Sequence, residues 1–390
     1  METRESPLYF ALAPSGPVDQ LQERMRHQAR DEPIRWGRRA LVAALFCWVP
    51  LLIASMLRPN PAADISFLRD IAVHARFLLI VPILIFAEAP IGVRTRIVTG
   101  QFMASGLIDD DSTTEYKAVM QRGRGLINSW LAEFLILALS ATLVWIAVKG
   151  LLLESSSFWF ERVTEHGVGL SPAGWWCFAV ATPISIFLML RWLWRYLVWC
   201  WFLARVSRMN LKLTGAHPDR LGGLGFVMFH QTVFALITFA VGCAVSAAAA
   251  NRILYSGATL LSYKWPIVGI AAFSVLFGLL PLFVFTPRLA RTKRAAWGKY
   301  TRFGSEYVWR FEKKWMNDDN GPEEMLGSSD IQSMADLGGT FERMVEMRIF
   351  AIDRRTALSF ALAFVAPMLP LVLTMMPLKD IVKMLFHALI

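Results

Sequence analysis

Apolar stretches separated by polar connections recur along the chain of 390 residues. A helix rises about 1.5 Å per residue, so about 20 apolar residues cross the roughly 30 Å hydrocarbon core of a bilayer. Seven stretches approach or exceed this length: residues 40–56, 77–93, 127–148, 175–203, 224–250, 265–285 and 357–376. The pattern predicts an all-α, polytopic membrane protein with about seven transmembrane helices.

The last of these stretches is interrupted by Pro367, Pro370 and Pro377. Proline lacks the N–H that a helix needs, and broken helices occur at membrane depth only where protein or a water-filled cavity covers them. We therefore expect residues 356–390 to form a last transmembrane or re-entrant span, followed by an amphipathic tail.

Lysine and arginine are concentrated in every second connection, and this bias sets the orientation of a membrane protein. Segments 1–39, 94–126 and 288–355 are therefore expected in the cytoplasm, and residues 40–287 are expected to contain spans 1 to 6. Two capping-box patterns, Ser112 with Glu115 and Ser329 with Gln332, predict helices in the second and third segments. Segment 288–355 is thus expected to form a cytoplasmic helical domain.

Composition agrees with this class, since 55% of the residues are hydrophobic and only 18% are charged. Soluble domains carry about 25% charged residues, so the surplus apolar surface must face lipid. The net charge of +10 reflects the basic connections. A basic run after the sixth stretch is expected to face lipid and bind anionic headgroups, with no nucleic acid as partner. Its members are Arg288, Arg291, Lys293, Arg294 and Lys299.

Ionisable residues inside the apolar stretches are costly in lipid and usually face a cavity or a partner. Four of them lie roughly 9–15 Å from the expected cytoplasmic ends of their stretches, and a fifth lies one turn further. Two carboxylates opposite two guanidinium groups predict an ion-pair cluster that lines an inward-facing polar cavity. In the alternative interpretation, the arginines extend from an aromatic belt into the headgroups. The five candidates are Glu88, Glu133, Arg191, Arg195 and His230.

The stretch HPDRLGGLGF, His217 to Phe226, joins the fourth and fifth apolar stretches. In one interpretation His217 and Asp219 bind a metal or exchange protons, while Arg220 binds an anion. In the other, Pro218 and the glycines form a turn, Asp219 caps the next helix, and Arg220 marks the cytoplasmic boundary. We favour the second, because two side chains alone cannot complete a metal shell.

Several motifs in the second half of the chain resemble an uncharacterised family of polytopic inner-membrane proteins of proteobacteria. They are HPDRLGGLGF, FTPRLARTKRAAWGKY, FEKKW and LGSSDIQSMADL. The resemblance implies a bacterial inner (cytoplasmic) membrane as the location, and it supplies no catalytic residue.

Three functions remain open. The preferred one is a homo-oligomeric channel or transport-like protein with the charges around an inward-facing cavity. The second is a scaffold or signalling protein that displays the cytoplasmic helices. An enzyme at the cytoplasmic face is less favoured, since the sequence contains no HExxH, GxSxG or Walker motif. We expect no cofactor and no metal.

Overall fold

The computed structural model describes residues 10, 12, 32–57, 65–151, 159–164, 167–255, 257–316 and 329–372. Within this part of the chain, six helices are long and apolar enough to cross a membrane. The predicted class, a helical membrane protein, is therefore confirmed, whereas the predicted count of seven spans is not. The six ranges are Trp36–Leu57, Ile71–Ala104, Asp110–Lys149, Pro172–Val206, Gly225–Tyr255 and Leu260–Trp315.

The helices are numbered here in chain order. They are α1 Glu32–Leu57, α2 Ile71–Ala104, α3 Thr113–Ile127, α4 Trp130–Leu151, α5 Pro172–Val206, α6 Gly225–Tyr255, α7 Lys264–Leu279, α8 Thr286–Trp315, α9 Ser329–Val345, α10 Arg354–Val365 and α11 Leu369–Val372. Short 3-10 segments lie at Phe67–Arg69, Asp110–Ser112, Thr232–Phe234, Leu260–Tyr263, Leu280–Phe285 and Ala366–Met368. Two antiparallel strands, β1 Glu161–Thr164 and β2 Gly167–Leu170, precede α5.

Helix α5 lies at the centre of the fold, where it packs against α2, α3, α4 and the 3-10 segment before α8. Its side chains Trp199 and Phe202 are fully buried. The outer helices α4 and α7 are different, because Trp145 and Phe273 are 62% and 64% exposed. Such large apolar side chains on an open face are expected where a helix contacts lipid.

Helix α7 ends at Leu279, two residues before a proline, and two side chains from neighbouring helices donate to carbonyls near its end. Pro281 has no N–H to donate to the carbonyl of Phe277, four residues earlier. That carbonyl accepts from the N–H of Leu280 and from the hydroxyl of Tyr196 on α5. The amide of Gln231 on α6 donates to the Gly278 carbonyl at 2.6 Å. The helix break is thus covered by protein, as the bilayer requires.

The last apolar stretch forms α10, a 3-10 turn at Pro367 and α11, and it packs beside α6. Three contacts follow the same order along α6 and along this stretch: Gly242 with the Phe364 backbone, Ser246 with the Pro367 carbonyl, and Ala250 with Leu371. The two runs are therefore parallel. Residues 373–390, which include the expected tail, lie outside the described part.

Two helices outside the apolar stretches pair in the segment expected in the cytoplasm. The Tyr307 hydroxyl of α8 donates to the Asp330 carbonyl of α9 at 3.2 Å, and Lys314 lies 2.9 Å from the Asp330 carboxylate. We call α8 and α9 the helical hairpin. The capping box expected at Ser112 does not form, because the Ser112 side chain makes no cap hydrogen bond. Asp109 instead accepts from the N–H of Asp110 at the start of the preceding 3-10 turn.

Candidate functional site

Four ionisable side chains from three helices meet in the interior of the bundle, and we call them the charge cluster. Arg195 on α5 donates to the Glu88 carboxylate of α2 at 2.7 Å. Arg191, one turn earlier on α5, lies 3.5 Å from Glu88 and 3.6 Å from Glu133 on α4. All four residues are buried. The cluster contains two carboxylates and two guanidinium groups, so its formal charge is zero.

Aromatic and backbone contacts hold the cluster in place. The indole of Trp192 donates to the Leu84 carbonyl of α2 at 2.8 Å, and the Arg195 guanidinium stacks 5.1 Å from the Trp192 ring centroid. Residue 87 interrupts the regular helix of α2 immediately before Glu88. Pro90 accounts for this interruption, because it supplies no N–H to the carbonyl four residues earlier. Trp192 thus joins α5 to α2 about one helical turn before Glu88.

His230, the fifth candidate, lies in a different layer. Its ring packs edge-on against Trp199 with 4.7 Å between centroids, and its Nε2 lies 3.4 Å from the Thr95 hydroxyl. Thr95 follows Glu88 by seven residues on α2, about 10 Å along the helix. The depth estimate from sequence placed His230 level with Glu88 because it assumed that α2 leaves the membrane near residue 93. The helix continues instead to Ala104.

The stretch HPDRLGGLGF forms a turn organised by one carboxylate. Asp219 accepts hydrogen bonds from the N–H groups of Leu221, Gly223 and Gly225 at 2.8, 3.1 and 2.8 Å. Gly225 is the first residue of α6, so Asp219 does cap this helix, although it lies six residues earlier. Its other neighbour is the His217 imidazole, with Nδ1 at 2.8 Å.

The environment of Asp219 also changes its acidity. Partial burial raises the pKa of Asp219, but the N–H donors of the turn and His217 outweigh this effect. The net result is a pKa below the usual range, because each of these contacts stabilises the charged form. A carboxylate saturated by backbone donors is a structural cap, which agrees with the interpretation that the sequence favoured.

The outer side of the turn contacts the end of α9 and the residues after it. Arg220 lies 2.9 Å from Glu346, and its carbonyl accepts from the Arg348 N–H at 2.8 Å. Both partners follow Val345, the last residue of α9. Arg220 has φ 56°, a left-handed conformation that is unfavourable for residues other than glycine. The fixed backbone of the turn holds it there.

The basic run is divided between two roles. Arg288 donates to the carbonyls of Ser207 and Arg208, and Lys293 donates to the carbonyls of Val345 and Met347. These two side chains join α8 to the end of α5 and the end of α9. Arg294 donates to a carbonyl of its own helix at 3.3 Å. Exposed positions are also present, at Arg291 and Lys299.

A second buried polar group was missed by sequence reasoning. Asp70, at the start of α2, accepts from the Asn251 amide at 2.8 Å and from the Trp159 indole at 3.0 Å. Asp70 is buried. Asp70 precedes the apolar stretch 77–93, so it is not among the charges that lie within apolar stretches. Asn251 at the end of the fifth stretch was the only signal available.

Among the residues that the structure describes, no three or more His, Cys, Asp or Glu side chains group in a way that could hold a metal ion. His217 and Asp219 therefore stand as a pair. No family model matches the chain, and no curated protein or solved structure matches it either. The charge cluster is thus the candidate functional site.

Proposed function

We propose that the chain is a channel or transport-like protein of a bacterial inner membrane, with the charge cluster as its functional centre. The observation that carries this proposal is the position of Arg191. Its guanidinium lies almost equally far from Glu88 and Glu133, at 3.5 and 3.6 Å. When an ion passes, a guanidinium shared between carboxylates of two helices changes its partner.

Stability alone is a weak reason to place these charges here. Taking an ion out of water costs several kcal/mol, and replacing a buried ion pair by apolar residues is often neutral or stabilising. Intramembrane charges therefore mark ion or substrate pathways more often than they mark structural contacts. The close 2.7 Å contact between Arg195 and Glu88 offsets this cost best. The longer contacts of Arg191 offset it less.

The helix that carries Glu133 is the part of the bundle best suited to move. Helix α4 packs mainly against α5, and its remaining faces present large apolar side chains such as Leu135 and Trp145. Glu133 and Arg191 form an ion pair across the α4–α5 contact. We propose that Arg191 exchanges between Glu88 and Glu133, and that α4 shifts relative to α5 when it does.

Location and assembly are part of the same proposal. The positive-inside bias supports a cytoplasmic location for the N-terminal segment and the helical hairpin, and with it an inward-facing path to the cluster. The parallel course of α10–α11 and α6 supports a seventh crossing. The exposed apolar faces of α4 and α7 supply area for a homo-oligomer as well as for lipid contact.

The experiment is a flux measurement in proteoliposomes loaded with dyes for K⁺, Cl⁻ and H⁺. The wild-type chain should conduct at least one of these ions, and Arg191→Gln should abolish that flux. Arg205→Gln, an exposed position on the same helix, is the matched control and should retain it. Folding of each variant is checked by circular dichroism. Absence of all three fluxes from the folded wild type, or undiminished flux in Arg191→Gln, would refute the proposal.

A scaffold function is the second candidate, and one observation favours it. The helical hairpin presents the aromatic side chains of Trp297, Phe303 and Trp309 to solvent. Exposed aromatic residues are enriched where proteins bind partners. If the flux measurement fails while Trp309→Ala releases a protein that copurifies with the wild type, the scaffold becomes the better explanation.

A further inference from the structure

An apolar cavity of about 280 Å³ lies between α5, α6 and α7. Its lining includes Leu193 and Tyr196 of α5, Ile237 and Val241 of α6, and Phe277 of α7. Leu193 is exposed, so the cavity opens on the surface that faces lipid. Its size approaches the lower end of ordinary ligand pockets, about 300 Å³. The predominantly apolar lining suits a hydrocarbon chain.

A basic cavity of about 400 Å³ lies further along α5, between its end and the start of α8. Three arginines, Arg208, Arg288 and Arg291, are part of its lining. Arg288 is fixed by its bonds to the Ser207 and Arg208 carbonyls at 3.1 and 2.7 Å. No carboxylate is part of this lining, and Arg208 and Arg291 are exposed. The cavity is therefore suited to an anion.

The two cavities lie on one face of α5, and we call this face, with the residues opposite it, the groove. On α5 the residues Leu193, Tyr196, Cys200, Ala204 and Arg208 follow one another at three- or four-residue intervals, which places them on one face. Across the groove, the lining passes from Phe277 to Val284, Arg288 and Arg291. Tyr196 and Ala204 are separated by eight residues, or about 12 Å along the helix. The basic end lies beside the helical hairpin, and the apolar end lies deeper in the bundle.

We propose that this groove binds one anionic phospholipid from the leaflet on the side of the helical hairpin. Its phosphate is held by Arg208 and Arg291, with Arg288 as a fixed third cation, and one acyl chain enters the apolar cavity. Guanidinium groups suit a phosphate because their N–H donors match its oxygens in pairs. Neither cavity alone specifies a lipid. A basic cavity beside an apolar one matches the phosphate and the acyl chain of a phospholipid.

The test measures the binding of phosphatidylglycerol to the full chain in neutral detergent, from the lipid-dependent rise in unfolding temperature. The double variant Arg208→Gln/Arg291→Gln should bind about 25-fold more weakly, since each arginine near a phosphate contributes about fivefold. The matched control is Arg302→Gln/Arg310→Gln, which removes the same charge from exposed positions of α8 outside the groove. It should bind as the wild type does.

Further arms separate a lipid from a free anion. Val241→Trp fills the apolar cavity and should weaken phosphatidylglycerol binding without changing the arginines, whereas Val241→Ala should not weaken it. Inorganic phosphate should produce no comparable rise, and phosphatidylcholine a smaller one. Equal loss in the two charge variants, an unchanged affinity in Val241→Trp, or an equal rise with inorganic phosphate would each overturn the proposal.

Discussion

Arg195 donates a 2.7 Å hydrogen bond to Glu88, and both side chains are at most 5% exposed. This contact joins α2 and α5. Its distance is shorter than the 3.5 and 3.6 Å contacts of Arg191. We therefore regard the Arg195–Glu88 pair as the structural part of the cluster.

Removal of one charge from this pair should strongly destabilise the protein. Glu88→Gln leaves Arg195 buried beside a neutral group, which we expect to cost about 3–5 kcal/mol of unfolding free energy. Glu88→Leu combined with Arg195→Met should cost less than the sum of the two single changes, because no charge is left without its partner. Chemical unfolding in detergent measures all of these variants. Additive losses would contradict the contact.

Asp219 should contribute stability in a pH-dependent manner. Asp219→Ala removes the acceptor for three backbone N–H groups, and we expect a loss of about 2–3 kcal/mol near neutral pH. Because the folded pKa of Asp219 is lowered, this contribution is present above the unfolded pKa of about 3.9 and is lost as pH falls through the folded pKa.

The measurement compares unfolding of the wild type and Asp219→Ala between about pH 7 and pH 3. The difference between them should be constant near neutral pH and shrink below about pH 4. His217→Ala serves as the control, since His217 is exposed and its loss should change stability little. A difference that grows toward low pH would show that the carboxylate is not stabilised in the folded state.

The left-handed backbone at position 220 should favour glycine over other residues. Its φ of 56° costs a residue with a side chain about 1–2 kcal/mol, and glycine avoids this cost. The exposed ion pair with Glu346 contributes only about 0–1 kcal/mol. Arg220→Gly should therefore be more stable than Arg220→Ala, by about 1 kcal/mol. Thermal unfolding of both variants tests the conformation, and the reverse order would contradict it.

Tyr196 should matter because of Pro281. Tyr196→Phe removes the donor to the Phe277 carbonyl, and we expect a loss of about 1 kcal/mol. In the Pro281→Ala background the loss should be smaller, because the N–H at position 281 adds a backbone donor to this carbonyl, beside that of Leu280. A double-mutant cycle of unfolding free energies measures this coupling. No coupling would mean that the hydroxyl serves another partner.

The sequence was most informative where burial in lipid constrains it. Long apolar runs predicted the helical membrane class, and the cost of charge in lipid singled out the four residues that meet in the charge cluster. His230 was grouped with them because the length of α2 expected from the sequence was too short, and the helix continues to Ala104. The lining of the groove joins residues about 80 positions apart, such as Arg208 and Arg288. Local sequence patterns do not predict contacts at this separation.

Backbone interactions were predicted less well than side-chain burial. Asp219 was expected to cap α6, but its three N–H partners depend on the left-handed backbone of Arg220 and the glycines, which the sequence does not specify. The seventh apolar stretch has enough apolar residues for a span, yet its prolines divide it into short helices, so hydropathy alone does not determine its path.

The distance between α4 and the rest of the bundle tests the central claim most directly. Spin labels at Leu143→Cys on α4 and Phe273→Cys on α7 occupy exposed positions, in a background in which the four native cysteines are replaced. If Arg191 exchanges between Glu88 and Glu133, the wild type in nanodiscs should show two distance populations, and Glu133→Gln should change their ratio. A single narrow distribution that is identical in both proteins would contradict the account.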